Sequence, residues 1–275
     1  MKVATLLFVL ISAFLVGNTA DAADWILYDN FNTDMINPAK WFGQEYYQKP
    51  TLEENTRMIE KNALHLLTRV YGQTTLDTGY SDGGNRLRFR DANPIYGIKA
   101  TVKVKNISQE NCPSNPSASW TWARLSGFFF NTGTPTPGSS VNDVRAQIGI
   151  QPNQTNGLNV IAKVMLCTDA NCSTVTTVGS QILGTAKRNK KTTLSMEWDR
   201  DNDRFVFQRD KQTPVYINYT YDDSSPPGTS NNKRLDAAGG AANCTNSPRP
   251  SAFVDAYFDD VYVKTTAALP DSEEE

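Results

Sequence analysis

Short runs of alternating apolar and polar residues dominate this chain, and none holds the i, i+3, i+4 spacing of an amphipathic helix. The clearest run is Asp143-Val-Arg-Ala-Gln-Ile-Gly-Ile-Gln151. Successive strand side chains point to opposite faces, so Val144, Ala146, Ile148 and Ile150 should face a core. Arg145, Gln147, Gly149 and Gln151 then share the polar face, behind Asp143 at the start. Similar runs predict strands near residues 25–31, 57–59, 63–70, 85–90, 96–105 and 120–130. Others fall near 144–151, 159–167, 173–178, 192–198, 204–209 and 256–263. Turn-forming residues at 60–62, 81–84 and 199–203 separate several of them. Two segments, 107–119 and 222–250, read as long surface loops, the second rich in Ser, Pro, Gly and Asn. Many short strands without an internal repeat predict an all-β sandwich or barrel.

The first 22 residues follow another pattern. Lys2 precedes an almost unbroken apolar run over 3–16, and Ala20-Asp21-Ala22 offers small residues for cleavage, the layout of an export signal. That run is short for a membrane span, and no later segment is apolar enough to cross a bilayer. The expectation is an exported chain, secreted, periplasmic or on the cell surface, with one domain over 23–266 and an acidic, disordered tail over 267–275. Lys and Arg total 27 against 29 Asp and Glu, a balance that offers no general attraction to nucleic acid or an anionic membrane.

The 4 cysteines all lie in the exported part, where disulfides are the default. Cys167 and Cys172 flank the mouth of a predicted hairpin and suit a local bridge. Cys112 and Cys244 then pair by elimination and tie the two long loops together.

Trp25-Ile-Leu-Tyr-Asp-Asn-Phe31 followed by Ile36-Asn-Pro-Ala-Lys-Trp41 is similar to the opening strand and first buried Trp of the concanavalin A-like lectin/glucanase superfamily. Glu60-Lys-Asn-Ala-Leu-His-Leu66 and Ile98-Lys-Ala-Thr-Val-Lys-Val104 resemble the hairpin and strand that follow. Leu194-Ser-Met-Glu-Trp-Asp199 with Arg204-Phe-Val-Phe207 resembles the late hairpin, and Ala256-Tyr-Phe-Asp-Asp-Val-Tyr-Val263 the closing strand. The resemblance implies a two-sheet antiparallel jelly-roll β-sandwich whose concave sheet forms a groove that often holds carbohydrate. It also allows a structural calcium at Asp260, with carbonyls around Asn62, and requires no other cofactor. An ordinary pairing or capping role for Asp260 is the alternative.

Retaining glucanases of this kind carry Glu-x-Asp-x-Glu on one groove strand, with two of the carboxylates acting as nucleophile and acid/base. The matching positions here are Gln147, Gly149 and Gln151, and an amide can neither attack as a carboxylate nor donate an acidic proton. The superfamily's alginate lyases offer a second comparison. Gly84-Asn-Arg-Leu-Arg88 loosely resembles their Arg-rich strand, Gln147-Ile-Gly149 their Gln-Ile-His strand, and Tyr257-Phe258 their late Tyr strand. Gly149 stands where they have His, and the single histidine, His65, reads as a surface or edge residue.

An arginine and aromatic face remains. Trp120, Trp122 and Arg124 share one side of their strand. Arg86, Arg88 and Arg90 share one side of theirs, and Arg145, Gln147 and Gln151 one side of a third, with Lys163 next to it. Rings stack on sugar faces, and guanidinium forks grip carboxylate or sulfate, so this set suits an anionic polysaccharide. Basic residues at alternate positions also describe an ordinary solvated face, Trp120 or Trp122 also suit a core, and Tyr46 and Tyr47 suit either a groove rim or packing under a loop. The expectation is a carbohydrate-binding protein without catalysis. The alternatives are a lyase or hydrolase with displaced catalytic residues, or a structural envelope protein.

Overall fold

A computed structural model describes residues 24–42, 53–155, 157–229 and 232–267. The export segment, Tyr46, Tyr47 and the tail beyond 267 lie outside the described residues. The strands are β1 (Ile26–Asp29), β2 (Trp41–Phe42), β3 (Glu53–Ile59), β4 (Leu64–Tyr71), β5 (Tyr80–Phe89), β6 (Ile95–Gln109), β7 (Trp120–Asn131) and β8 (Asp143–Pro152). They continue as β9 (Leu158–Cys167), β10 (Val175–Ala186), β11 (Lys191–Asp199), β12 (Arg204–Arg209), β13 (Val215–Asn218), β14 (Arg234–Ala242) and β15 (Ser251–Thr265). One 3-10 turn, Arg200–Asn202, is the sole helical element among the described residues.

The expected two-sheet antiparallel jelly-roll sandwich is what these strands build. An 8-stranded sheet runs β13-β12-β11-β6-β15-β4-β3, with β1 also paired to β15, and a 7-stranded sheet runs β10-β9-β8-β7-β14-β5-β2. Between them the alternating apolar positions interdigitate: Leu87 and Phe89, Ala123 and Leu125, Ile148, Val160 and Leu235 from one sheet, and Leu64, Ile98, Val102, Leu194 and Phe258 from the other. Trp41 is fully buried, edge-on to Tyr28 and stacked on Phe31, and its indole N–H donates to Asp29 at 2.6 Å. Phe205 and Phe207 both enter the core, as their shared face predicts.

Two sequence expectations fail here. The segment 222–250 is not one long loop, because its middle forms β14, which lies between β5 and β7 in the 7-stranded sheet. The run Ala237-Ala-Gly-Gly-Ala-Ala242 lacks the branched and aromatic residues that mark strands, yet smallness is what the position requires. A Cβ on Gly240 would lie 2.3 Å from the Trp120 indole nitrogen, and one on Gly84 would lie 2.9 Å from Ala238 Cβ. For the same reason 81–84 is not a turn: Gly83 and Gly84 lie within β5, paired with Gly239 and Ala238.

Both expected disulfides form, Cys167–Cys172 and Cys112–Cys244. The second fastens the 107–119 segment to the end of β14. Asp77 stands beside it, and the three side chains make the one cluster of metal-ligating type among the described residues, but the sulfurs are spent in the bridge.

Candidate functional site

The pairing of β5, β14, β7, β8 and β9 sets the outer face of the 7-stranded sheet. Asp236 lies opposite Arg86 on one side and Arg124 on the other. Arg234 lies opposite Arg88 and Ser126, and Gln147 opposite Ser126 and Lys163. Alternation thus brings Arg86, Arg88, Trp120, Trp122, Arg124, Arg145, Gln147, Gln151 and Lys163 onto one face, as the sequence predicts. The carboxylate at its centre is one the sequence reading missed, because Asp236 was hidden in the apparent loop.

Asp236 is fully buried. Arg124 grips it through Nε at 2.9 Å and Nη2 at 2.8 Å, while Arg234 Nε stands at 3.4 Å and Arg86 Nε at 3.9 Å. Burial by itself would raise this carboxyl, but Arg124, Arg234 and Arg86 outweigh it and hold the group well below the usual carboxylate range. Arg124 Nη1 and Arg145 Nη2 both donate to Gln147 Oε1, at 3.0 and 3.1 Å. Arg145 therefore has a neutral amide rather than an acid as its hydrogen-bond partner. Burial, then repulsion from Arg124 and Arg234, pull its pKa down against the attraction of Asp236, and burial pushes Arg234 down to about 9. Ser126 Oγ, Arg86 Nε, Arg234 Nε and Asp236 Oδ1 are buried without a hydrogen-bond partner among the described residues.

Accessibility divides this face. Trp122, Arg124, Arg234 and Gln147 are covered, with Lys163 Nζ 5.5 Å over the Trp122 ring. Arg88 is exposed, and Arg86, Arg145, Trp120, Gln151 and Lys163 are half-buried. Trp120 lies across Gly240 and meets Tyr80 edge-on at 6.1 Å, and Tyr80 is 46% exposed. Tyr80 was missed because its strand was predicted to begin five residues later. Gly149 has a reason of its own, since a Cβ there would fall 2.4 Å from Arg124 Cβ and 2.7 Å from Ala123 O. Arg124 crosses the space that a histidine would need.

The remaining lyase-like residues do not join this face. Tyr257 and His65 lie on the outer face of the 8-stranded sheet, on the far side of the sandwich, and Phe258 is core. His65 is also not a surface or edge residue. It is buried on β4, between β3 and β15, its ring stacked 4.4 Å from Tyr257. Its Nε2 is 2.9 Å from Asp255 and its Nδ1 3.1 Å from Glu60. Tyr257 donates to the same Glu60 at 2.9 Å, and burial followed by that bond raises its phenol to about 12.

Asp143 is buried and accepts from Asn131, from the backbone of Gly228 and from Thr229, so it anchors a loop. Asp260 sits where β15 exchanges β4 for β1 as its neighbour, with φ 47°. The adjacent Asp259 is held by Lys191 at 3.0 Å. One free carboxylate is far short of the six or more oxygens calcium takes, so main-chain carbonyls would have to supply the rest.

The fold and this face define a two-sheet jelly roll with an arginine-rich sheet surface. No protein-family model matches the chain, and no curated protein does. Solved structures with a similar fold include LamAcat from Zobellia galactanivorans, at 11% identity over 87% of this chain and 97% of that one, TM-score 0.45. They include the Bacillus licheniformis β-glucanase, at 13% identity over 90% and 100%, TM-score 0.43. The alginate lyase Aly36B is similar at 11% identity over 90% and 98%, TM-score 0.39.

Proposed function

We propose that this chain is an exported, non-catalytic carbohydrate-binding protein that takes an anionic polysaccharide across the outer face of its 7-stranded sheet. The observation that carries the reading is the charge imbalance around Asp236: Arg86, Arg124 and Arg234 stand within 4 Å of that one carboxylate, Arg88 lies beside Arg234 on the same face, and Arg145 has a neutral partner. A buried or half-buried guanidinium without a counter-ion is costly, and a ligand carboxylate or sulfate would offset that cost. Arg86, Arg88, Arg145 and Lys163 would make the contacts, while Arg124, Gln147 and Trp122 hold them in place. Trp120 and Tyr80 would stack on sugar rings at the Gly240 end.

The spacing of the carboxylates on this face disfavours cutting. Among the described residues of β5 and β14, the other carboxylate on this face is Asp82, which pairs with Gly240, four residues along β14 from Asp236. Four strand residues span about 13 Å, whereas paired glycosidase carboxylates stand about 5–9.5 Å apart.

Retention on immobilised alginate, pectate and sulfated galactan at low salt tests the reading, with Arg145→Ala and Arg88→Ala alongside. Salt-sensitive retention, weakened at least tenfold in either variant, is expected. No retention of the wild type on any of them would overturn it, and a rise in ultraviolet absorbance or reducing ends would replace binding with lyase or hydrolase activity. A structural calcium at Asp260 belongs to the same proposal and predicts a lower Tm in the presence of a chelator.

A further inference from the structure

At the Gln151 end of β8 a cleft of about 860 Å3 opens between the end of β6, the connection from β8 to β9, and Arg188. Its volume is that of a site for a small organic ligand, about 300–1,000 Å3. Gln151 is the only one of the predicted ligand residues that reaches it.

Neutral hydrogen-bonding groups make up most of its wall: Gln109, Asn111, Gln151, Asn153, Gln154 and Asn159 contribute amides, and Arg188 is the one charged lining residue among the described residues. Three of the amides are anchored by their carbonyl ends. Gln109 Oε1 accepts from Thr121 at 3.2 Å, Asn111 Oδ1 from the Ser119 N–H at 2.8 Å, and Asn159 Oδ1 from Asn153 at 3.2 Å. Their NH2 ends remain available as donors. The Gln151 and Gln154 side chains bond to no other described residue and offer both a donor and an acceptor. Ile161 and Ile182, partners across β9 and β10, add an apolar patch, with Ile182 63% exposed.

These features select a ligand chemistry. Donors and acceptors in similar number suit hydroxyl groups, which do both, and the isoleucines suit the C–H face of a pyranose ring. Among the described residues no carboxylate lines the cleft to hold a cation. Its one guanidinium already donates to the Ile107 carbonyl at 3.3 Å, a weak basis for holding a polyanion. We infer that this cleft is a second binding site, for a short neutral oligosaccharide. It adjoins the arginine face at Gln151, shares none of the contact residues assigned to that face, and does not rest on the reading given for it.

The test is a titration of the full chain, followed by NMR or calorimetry at high salt, with neutral β-1,3-gluco-, β-1,4-gluco- and β-1,4-manno-pentaose. Ser108→Trp, which fills the cleft from β6 at an exposed position, Gln154→Ala and Arg145→Ala are compared with wild type, with circular dichroism to show that each is folded. Saturable binding to at least one pentaose is expected, weakened tenfold or more by Ser108→Trp, several-fold by Gln154→Ala, and unchanged by Arg145→Ala or by salt. Three outcomes overturn the inference: no saturable response to any pentaose, equal affinity in folded Ser108→Trp, or saturation by unstructured peptides alone. Absence of wild-type retention on alginate, pectate and sulfated galactan, with pentaose binding intact, would refute the arginine-face reading and leave this one standing.

Discussion

At the scale of single residues, this protein places charge where water is scarce and uses small residues to make room for it. Gly149 is the sharpest case. A methyl group there meets both Arg124 and the Ala123 carbonyl, so Gly149→Ala should cost about 2 kcal/mol, read as a lower urea midpoint at unchanged m. Histidine at the same position should cost more, because Arg124 must leave Asp236 to admit it. Lys233 is a second case. It is buried just before β14, donates to the Ala92 carbonyl at 3.0 Å, and lies over the Phe129 ring with no acid paired to it among the described residues. Burial pushes its pKa down to about 7. An unfolded lysine titrates near 10.4, so between about pH 7 and 10 the unfolded chain binds the extra proton and stability rises with pH. Lys233→Met should flatten that rise and stabilise the protein near neutral pH by about 1 kcal/mol, as followed by denaturant unfolding at a series of pH values.

Among the elements, β14 does the most. It joins β5 to β7, supplies Asp236 and Arg234 to the outer face, and its small residues let Trp120 lie flat. It went unrecognised in the sequence because strand signals are side-chain signals, and Ala and Gly carry almost none. The same logic explains why β8 was legible to within one residue at each end: it alternates, and one face is core. The two disulfides differ as constraints on the unfolded chain. Cys112 and Cys244 are 132 residues apart, whereas Cys167 and Cys172 are 5 apart. Loop-closure entropy assigns the first about 5 kcal/mol and the second about 2 kcal/mol. Cys112→Ala with Cys244→Ala should therefore lower the denaturant midpoint more than twice as far as the other pair replaced by alanine. Equal shifts would show that the long-range bridge acts on the native state instead.

For the molecule as a whole, the two sheets present different outer surfaces, and this separation decides the functional reading. One carries the arginines around Asp236. The other carries His65 between Glu60 and Asp255, under Tyr257. Burial opposes ionisation of Asp255, but His65 and Lys105 outweigh it and hold the carboxyl below its usual range. A depressed carboxyl stabilises the fold above its unfolded pKa of about 3.9 and loses that contribution as pH falls through the lower folded value. Thermal unfolding between about pH 5 and 2 should thus show a fall in Tm that is shallower in His65→Ala than in wild type. Parallel profiles would mean the pair contributes nothing to acid stability.

Sequence by itself determined the all-β class, the cysteine pairing and the sharing of one face by Arg145, Gln147 and Gln151, and left the choice between sandwich and barrel to the resemblance. Each follows from local rules: a side-chain period of two, turn chemistry and the spacing of cysteines. Only the tertiary structure decided which strands lie side by side, and therefore that Asp236 meets Arg124 112 residues away, that Tyr257 is on the wrong side to serve Gln147, and that an amide-lined cleft opens beyond Gln151. Strand order joins segments distant in sequence through backbone hydrogen bonds common to every residue, so no local pattern of side chains can specify it.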